Sequence, residues 1–309
     1  MRLVDQLLQT VARLTRALPD VRGLGRLYRM FNRLALQIGV EPQVVAPMRD
    51  GTTLRLDLRT QTDLNAYYRG RYDPVLMNTV VSLLDPSTVF LDVGANVGYY
   101  SVAIAAWFRA HGNQGRVVAF EPFEGNFVRL CENLADNALQ AICSAHKVGL
   151  SDVAADSLIT LREDFRLGAG TGNASIPTDA AFDAGFRTVP IRLEPLDSFW
   201  PQHYATAGRI DMIKVDIEGH EDYCLRGARQ TLAQHRPTIL MEVNRPFYDV
   251  RRVELDATFL PLLPAAYGIY RLNHGIWQRI ETLTVCSTID NVLLVPDEKL
   301  SLPCYAVFS

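Results

Sequence analysis

A short apolar run that ends in an acidic residue and two spaced glycines constrains this chain most. Residues 89–93 read Val-Phe-Leu-Asp-Val, which is too short for a helix and typical of a strand buried on both faces. Gly94 and Gly98 follow, and they let the backbone turn sharply and approach a ligand without a Cβ in the way. Residues 99–110 contain no helix breaker, so a helix is predicted to begin at the glycines. The unpaired N–H groups at such a helix start favour an anionic ligand group.

The spacing of this turn favours S-adenosylmethionine (SAM) over a dinucleotide. From Asp92 it reads Asp-x-Gly-x-x-x-Gly, whereas dinucleotide-binding turns read Gly-x-Gly-x-x-Gly and seat a pyrophosphate. An acidic side chain at the strand tip can meet a cationic amino group, and SAM carries an α-ammonium and an α-carboxylate on one carbon. Glu121 ends the next apolar run, where an acidic group can accept hydrogen bonds from ribose hydroxyls. The alternative is an ordinary βαβ turn that happens to contain glycines and an aspartate.

The composition is that of an ordinary globular chain. Of the 309 residues, 48% are hydrophobic and 21% are charged, which suits one large α/β domain or two small ones. The net charge of −3 argues against a general nucleic-acid binder. The five cysteines are scattered and never form Cys-x-x-Cys, so neither a disulfide framework nor a zinc site is predicted. The chain lacks a long apolar span and a signal-peptide core, so we expect a cytoplasmic protein without an integral membrane segment.

Residues 1–40 predict two helices with a break at Pro19-Asp20. Seven arginines against two aspartates give this segment a charge of +5, which leaves −8 on the remainder of the chain. A basic amphipathic stretch can lie on an anionic membrane or dock a partner. Such stretches more often pack on their own domain, and we favour that interpretation.

A hairpin and a helical segment connect this region to the first core strand. Asp50-Gly51 predicts the hairpin turn. Residues 61–84 look largely helical, with a break ahead of Pro74. Aromatic and basic residues in this segment could wall a ligand cleft or form an ordinary surface loop: Tyr67, Tyr68, Arg69, Arg71, Tyr72.

Later apolar runs extend the predicted sheet. They cover residues 142–149, 189–196, 210–215, 238–243, 267–272 and 291–295. The pattern predicts an α/β fold, with a mostly parallel sheet of about seven strands and helices on both faces. We assign residues 1–60 to an N-terminal helical and hairpin extension and residues 61–309 to the main domain. Asp197 is expected to cap the short segment after it, and residues 222–235 are expected to form one helix.

Two stretches near the predicted cleft have weaker signals. Ser151 and Asp152 follow the third strand, where a small polar residue can meet the adenine amine, although a plain turn is equally consistent. Residues 165–190 are irregular and glycine-rich, which is typical of functional lids or poorly ordered insertions. This segment is not a phosphate loop, because it lacks the Gly-Lys-Ser/Thr ending.

An acidic cluster follows the run at residues 210–215. The carboxyl ends of parallel strands meet at one edge of the sheet, so the cluster should face the same cleft as Asp92 and Glu121. If the acceptor is a hydroxyl, a base must take its proton during methyl transfer. The candidates for catalysis are Asp216, Glu218, His220 and Glu221, with Asp216 first because it stands at the strand tip.

Alternatives to these catalytic roles stay open. Glu218 and Glu221 could simply favour a helix dipole, and His220 could be a packed or exposed histidine. Asp216 with Glu242 and Asn244 would offer three oxygen ligands to Mg²⁺, which could acidify a hydroxyl. A magnesium ion is therefore possible but is not favoured.

Three ordered blocks resemble the FkbM family of SAM-dependent methyltransferases. They are residues 90–98, 119–122 and 213–221, and the resemblance runs over residues 65–296. It implies a Rossmann-like class I methyltransferase fold with a seven-stranded sheet. It also implies O-methylation of a hydroxyl on a sugar, glycan or natural-product small molecule.

The resemblance also implies roles for particular residues. Asp216 would lie beside the methyl donor. The positions that would bind SAM are Asp92, Gly94, Asn96, Gly98 and Glu121. Tyr72-Asp73 departs from the Tyr-Glu that the family often shows, which leaves the role of that carboxylate open.

Two other functions compete with this hypothesis. A SAM-binding scaffold without turnover could keep the fold, although it would not need crowded carboxylates. A nucleic-acid methyltransferase is less favoured, because no Asn-Pro-Pro-Tyr-type turn follows the fourth strand. The expected partner is therefore a small-molecule or glycan acceptor.

Overall fold

The secondary structure is that of an alternating α/β chain. A computed structural model describes residues 2–18, 23–206 and 208–308. The helices are α1 (Arg2–Ala17), α2 (Leu24–Gln37), α3 (Gln61–Arg69), α4 (Pro74–Leu83), α5 (Tyr99–Ala110), α6 (Glu124–Asp136), α7 (Glu163–Arg166), α8 (Leu196–Tyr204), α9 (Glu221–Arg226), α10 (Arg229–His235), α11 (Arg245–Val250) and α12 (Leu255–Phe259). The strands are β1 (Gln43–Pro47), β2 (Thr53–Asp57), β3 (Val89–Val93), β4 (Arg116–Phe120), β5 (Cys143–His146), β6 (Gly149–Leu150), β7 (Ala155–Leu161), β8 (Ala174–Ser175), β9 (Arg187–Glu194), β10 (Met212–Val215), β11 (Thr238–Asn244), β12 (Tyr267–Asn273), β13 (Ile276–Ile280) and β14 (Ile289–Pro296).

The central sheet places β3 between β10 and β4. Its strand order is β13-β12-β14-β11-β10-β3-β4-β5, and the five strands from β11 to β5 are parallel. Alternate side chains of β3 point to opposite faces: Phe90 packs in one buried cluster with Phe108 of α5, and Leu91 packs in another with Leu225 of α9. The predicted α/β fold with helices on both faces is confirmed. The sheet has one strand more than predicted, because the largely exposed β13 lacks an apolar run.

A second, four-stranded sheet was not predicted. Its order is β6-β9-β7-β8, so the strand expected at residues 189–196 of the main sheet lies here instead, as β9. The third predicted strand, residues 142–149, is divided between the two sheets, because β5 ends at His146 and Gly149 pairs with Leu193 of β9. The strand β7 alternates between buried and exposed side chains only in part, and its pairing with β9 holds it in place.

Long-range contacts correct two further predictions. The single helix expected over residues 222–235 is divided into α9 and α10 near Gly227, whose added Cβ would lie 1.9 Å from the backbone oxygen of Ser151. The Asp197 carboxylate does not cap its own helix. It accepts hydrogen bonds from the backbone nitrogens of Gln230 (2.9 Å) and Thr231 (2.7 Å), so it caps α10.

The N-terminal helices pack on the main domain, as predicted. Arg16 of α1 donates to the backbone oxygen of Tyr67 through Nε (2.8 Å) and Nη2 (2.7 Å). Tyr28 of α2 donates to Asn65 Oδ1 (2.7 Å). The two acceptor residues, Tyr67 and Asn65, both belong to α3. The predicted break at Pro19-Asp20 lies outside the described residues. The boundary at residue 60 stays a prediction.

The predicted hairpin and helix break are both present. β1 and β2 pair antiparallel around Asp50-Gly51, and α3 and α4 are separated ahead of Pro74. Within residues 2–18, 23–206 and 208–308, none of the helices has the length and apolar content needed to cross a membrane.

Candidate active site

A cavity of about 160 Å³ opens at the carboxyl ends of β3, β4 and β10. The sheet register pairs Val93 with both Phe120 and Val215, so the residues that follow these three strands meet at one edge. Six of the eleven residues predicted for catalysis or SAM binding line this cavity: Gly94, Asn96, Glu121, Asp216, Glu218 and His220. Asp92, Gly98, Ser151, Asp152 and Glu221 are not part of its lining.

Positive φ angles and close neighbouring atoms explain the two glycines of the turn. Gly94 has φ +75°, and an added Cβ would lie 2.0 Å from the backbone oxygen of Asp216. Gly98 has φ +96°, and its added Cβ would lie 2.6 Å from Cδ1 of Leu130. Any larger residue at either position would be strained and would also collide with a neighbour. Gly98 therefore shapes the turn from behind the cavity.

Glu121 closes the turn from the second strand. It is 5% exposed, and it accepts hydrogen bonds from the backbone nitrogens of Asn96 (2.8 Å) and Phe123 (3.0 Å). Burial raises the pKa of Glu121 to about 7, although these hydrogen bonds oppose the shift. The backbone N–H of Asn96 is thus bound within the turn, while the Glu121 side chain still borders the cavity.

A buried lysine that the sequence reasoning missed holds two of the predicted carboxylates. The Nζ of Lys214 donates to the backbone oxygen of Gly94 (2.9 Å) and lies 3.4 Å from Asp92 Oδ1 and 3.6 Å from Asp216 Oδ2. Burial alone would lower the pKa of Lys214, but the charges of Asp216 and Asp92 outweigh it and raise the pKa. A cation in the middle of the apolar run Ile213-Lys214-Val215 was the signal that could have identified it.

Asp92 lies behind the cavity. Its side chain is fully buried and accepts a hydrogen bond from Ser101 Oγ at 2.6 Å. The sequence reasoning expected its carboxylate to meet the amino group of SAM, whereas in the structure the cation beside it is the ammonium of Lys214. Asp92 and Asp216 therefore both pair with Lys214, and Asp92 is the buried partner.

Three carboxyl groups border the cavity together with Lys214. Asp216 keeps 30% of its side chain exposed. Glu218 accepts hydrogen bonds from the side-chain amides of Asn173 (3.1 Å) and Asn244 (3.0 Å), and Glu242 completes the group in the cavity lining. Burial, and then the Asp216 charge, raise the pKa of Glu218 to about 8 and also raise the pKa of Glu242.

Glu221 and His220 occupy different positions. Glu221 is fully buried, and its carboxylate accepts from the backbone nitrogens of Ile217 (3.0 Å) and Gly219 (3.3 Å) and from the Tyr248 hydroxyl. These contacts hold the loop between β10 and α9 and leave Glu221 outside the cavity lining. His220 lines the cavity, and burial lowers its pKa to about 4, so the ring is neutral at pH 7.

The polar residues after the third strand support His220. Ser151 Oγ lies 2.9 Å from His220 Nε2 and 3.2 Å from Asp152 Oδ1. The cavity is lined instead by the two residues before them, Gly149 and Leu150. The structure thus places β6 at the cavity, whereas Ser151 contacts His220 and Asp152 contacts Ser151.

Tyrosines and the glycine-rich segment complete the walls. Tyr72 lines the cavity and stacks on Tyr99 with ring centroids 4.1 Å apart. Tyr67 and Tyr68 are buried outside the lining. Asn173 lines the cavity, and the preceding Gly172 exchanges two hydrogen bonds with Asn126, at 2.9 and 3.0 Å.

A wider groove of about 260 Å³ lies on the far side of the stacked tyrosines. It shares Tyr72 and Tyr99 with the cavity, and its other lining residues include Met48, Arg49 and Arg71. An elongated molecule in this groove would therefore meet the same aromatic pair as a ligand in the cavity.

A metal site has no support from the geometry. In the described part of the chain, no group of three or more histidine, cysteine, aspartate or glutamate residues is placed to hold a metal ion.

Comparisons with known proteins give a family match. Residues 92–271 match the family model described as the methyltransferase FkbM domain. A crystal structure of methyltransferase FkbM from Methylobacillus flagellatus KT is 18% identical, with a TM-score of 0.42, and the alignment covers 93% of this chain and 57% of that one. The O-methyltransferase TomG from Streptomyces achromogenes, solved in complex with SAM, is 14% identical, with a TM-score of 0.39 and coverage of 72% and 78%. No curated protein matches the sequence.

Proposed function

The chain belongs to the FkbM family of SAM-dependent methyltransferases, and from this premise we propose that it methylates a hydroxyl group on a sugar, glycan or natural-product small molecule. The observation that carries the proposal is the partly exposed Asp216 carboxylate, which lies in the cavity beside Lys214 and two further carboxyl groups. A hydroxyl is a weak nucleophile until a base takes its proton, and this arrangement offers that base.

The residues around the cavity fit SAM. Gly94 lines the cavity on a turn whose backbone approaches Asp216 too closely to admit a Cβ, and Glu121 offers carboxylate oxygens for the ribose hydroxyls. Asn96 would contribute its side chain, and Gly149 and Leu150 would border the adenine. Bound SAM supplies a methyl group on a sulfonium, which is transferred by in-line displacement.

Asp92 and Gly98 would act on the cofactor site from behind it. Asp92 sets the position of Lys214, and Lys214 in turn holds the Gly94 carbonyl and the Asp216 carboxylate. Asp92 is therefore proposed as a positioning residue. Ser151 and Asp152 would hold His220 in place rather than meet the adenine directly.

Asp216 would take the hydroxyl proton at its carboxylate. Lys214 lies 3.6 Å away and orients this side chain. Glu218 and Glu242, whose pKa values are raised by burial and by the Asp216 charge, would be protonated near neutral pH and could donate hydrogen bonds to the acceptor. His220 and Glu221 are proposed as positioning residues, because one contacts Ser151 and the other holds the β10–α9 loop.

Replacing Asp216 tests the proposed base. Asp216→Asn keeps the size of the side chain and should lower methyl transfer by about 10²–10⁴-fold, with SAM affinity changed only slightly. The measurements are isothermal titration with SAM and transfer of a labelled methyl group to a panel of sugars, glycans and hydroxylated small molecules. Asp156→Asn is the matched control, since the Asp156 side chain is 90% exposed. Unchanged transfer in Asp216→Asn would refute the assigned role.

The same assay separates the competing functions. A SAM-binding scaffold would bind SAM and yield no methylated product with any acceptor class. A nucleic-acid methyltransferase would label RNA or DNA and leave the small molecules unlabelled. The proposed function requires label on a hydroxylated acceptor.

A further inference from the structure

We propose that α2, together with the exposed leucines of α1, docks this protein on the surface of an anionic lipid bilayer. The exposed side of α2 carries a continuous apolar row. Leu27, Met30, Leu34 and Ile38 recur at spacings of three and four residues and are 61%, 69%, 57% and 60% exposed. Residues with this spacing lie on one face of a helix.

This apolar row is separate from the face that packs on the protein. Tyr28, Asn32 and Ala35 are 3%, 4% and 2% exposed and form the inward face of α2. A helix that only packs on its own domain needs one apolar face. α2 has a second one, which the described residues leave in contact with solvent.

Basic residues run beside the exposed apolar row. Arg26, Arg29 and Arg33 are all exposed, and each precedes a member of the row by one position. The sequence of α2 contains no acidic residue. An apolar face bordered by arginines is the pattern of helices that lie in the interface of an anionic membrane.

α1 adds apolar surface of the same kind. Leu7 and Leu14 of α1, and Leu18 directly after it, follow one another at helical spacing and are 51%, 63% and 47% exposed. The two helices together therefore offer seven exposed large aliphatic side chains within the first 38 residues.

Charge complementarity favours a bilayer over a second copy of the chain. Residues 1–40 carry +5 and the remainder carries −8, so an anionic surface would attract this end and repel the rest. In a symmetric dimer through α2, the arginines of both copies would line the same contact. Like charges so placed would oppose that pairing.

Docking through these helices would hold the whole molecule. Arg16 of α1 and Tyr28 of α2 are hydrogen-bonded to α3, and Asn32 of α2 donates to the backbone oxygen of Leu58. Tyr72, which walls the cavity, follows α3 after two residues. A bilayer bound by α2 would therefore fix the orientation of the domain relative to the membrane.

Vesicle flotation of the full chain tests this inference. The probes are vesicles of phosphatidylcholine alone and of phosphatidylcholine with about 30% phosphatidylglycerol. We expect the chain to float with the anionic vesicles only and to be released by raised salt. Arg26→Gln with Arg29→Gln and Arg33→Gln should lower the partition constant about 100-fold, since each arginine near an anionic surface contributes about fivefold.

The apolar row is tested by Leu27→Ser with Met30→Ser and Leu34→Ser, which should lower partitioning at least about tenfold. The matched control is Ile276→Ser with Ile289→Ser and Val307→Ser, whose parent side chains are 64%, 58% and 72% exposed elsewhere. The control should bind as the parent does. All these positions are exposed, so circular dichroism and the melting temperature should change little.

Three results would overturn the inference. The first is that the parent chain does not float with anionic vesicles, and the second is that it floats equally with neutral ones. The third is that replacing the apolar row abolishes self-association and leaves vesicle binding unchanged. The last result, seen by analytical ultracentrifugation, would assign the surface to a second copy of the chain.

Discussion

At the scale of single residues, Lys214 connects the glycine turn at Gly94 to Asp216, the proposed base. It is 6% exposed, and its ammonium lies between a fully buried aspartate and a partly exposed one. Removing one partner of a buried ion pair leaves the other charge without compensation, which costs more than removing both. The position of Asp216 and the stability of β3 therefore depend on the same cation.

Replacement of this cation should destabilise the fold. Lys214→Met should lower the free energy of unfolding by about 3–5 kcal/mol, because Asp92 would stay buried without its cation. Adding Asp92→Asn to Lys214→Met should restore more than half of this loss. Urea unfolding of the parent and the variants measures both effects. A double variant less stable than Lys214→Met would show that the two side chains are not coupled in this way.

At the scale of elements, the glycines show how close backbones shape the site. Gly94 combines φ +75° with an added Cβ 2.0 Å from a backbone oxygen, whereas Gly227 has an ordinary φ of −76° and an equally close contact. Gly39 has φ +88° with no atom within 4 Å of an added Cβ. Gly39 thus shows backbone strain without a collision, Gly227 a collision without strain, and Gly94 both.

Alanine should cost less stability at Gly39 than at Gly94. Gly39→Ala should cost about 1 kcal/mol, since only the left-handed backbone opposes it. Gly94→Ala should cost clearly more and should abolish SAM binding, because β3 and β10 must separate at the turn. Thermal melts and titration with SAM make the comparison. Equal losses of stability in the two variants would argue against the close approach of Asp216.

The glycine-rich segment 165–190 is proposed to act as a lid. Asn126 holds it at Gly172 by two hydrogen bonds, and Asn173 reaches Glu218 at the cavity. Asn126→Ala removes the first attachment, so limited proteolysis within the segment should become several-fold faster. The control is Asn273→Ala, which removes a surface hydrogen bond to Gln278. If SAM does not slow the cleavage of the parent chain, the segment does not close over the cofactor.

At the scale of the whole molecule, the buried carboxyl groups make stability depend on pH. The pKa values of Glu121 and Glu221 are raised to about 7 and that of Glu218 to about 8, in each case mainly by burial. An unfolded glutamate ionises near pH 4.3, so between the two pKa values the folded state binds more protons than the unfolded state. The stability contributed by these groups is therefore lost as the pH rises through the folded pKa.

A histidine and a lysine limit the pH range in which the effect of the buried carboxyl groups on stability can be measured alone. Burial lowers the pKa of His220 to about 4, so His220 makes stability rise with pH up to the unfolded value near 6.5. Burial also lowers the pKa of Lys299 to about 8, which adds a rise above that pH. The window from about pH 6.5 to about pH 8 is left to the carboxyl groups.

Stability should therefore fall between pH 6.5 and pH 8 by on the order of 3 kcal/mol, since each pKa unit corresponds to about 1.4 kcal/mol. Urea unfolding at several pH values measures the slope. Glu218→Gln cannot ionise and should flatten it. A stability that rises through this window would contradict the burial of these groups as protonated acids.

Local patterns of the sequence determined the elements that meet at the cavity. The buried run before Asp92, the glycine turn and the acidic residues Glu121 and Asp216 each depend on neighbours in the chain. The carboxyl ends of parallel strands meet at one edge, so these signals sufficed to bring Glu121 and Asp216 together. The fold class follows from the same alternation of strands and helices.

The tertiary structure alone decided what each side chain contacts. Lys214 pairs with Asp92, Asp197 caps a helix more than thirty residues away, and Glu221 turns inward to the Tyr248 hydroxyl. The second sheet forms by pairing β7 with β9. The run at residues 189–196 predicted a strand, but the alternation of β7 is too partial to predict its partner. Hydrogen bonds and ion pairs form over about 3 Å in space, at any separation along the chain. The periodicity of a local stretch therefore cannot predict such distant partners.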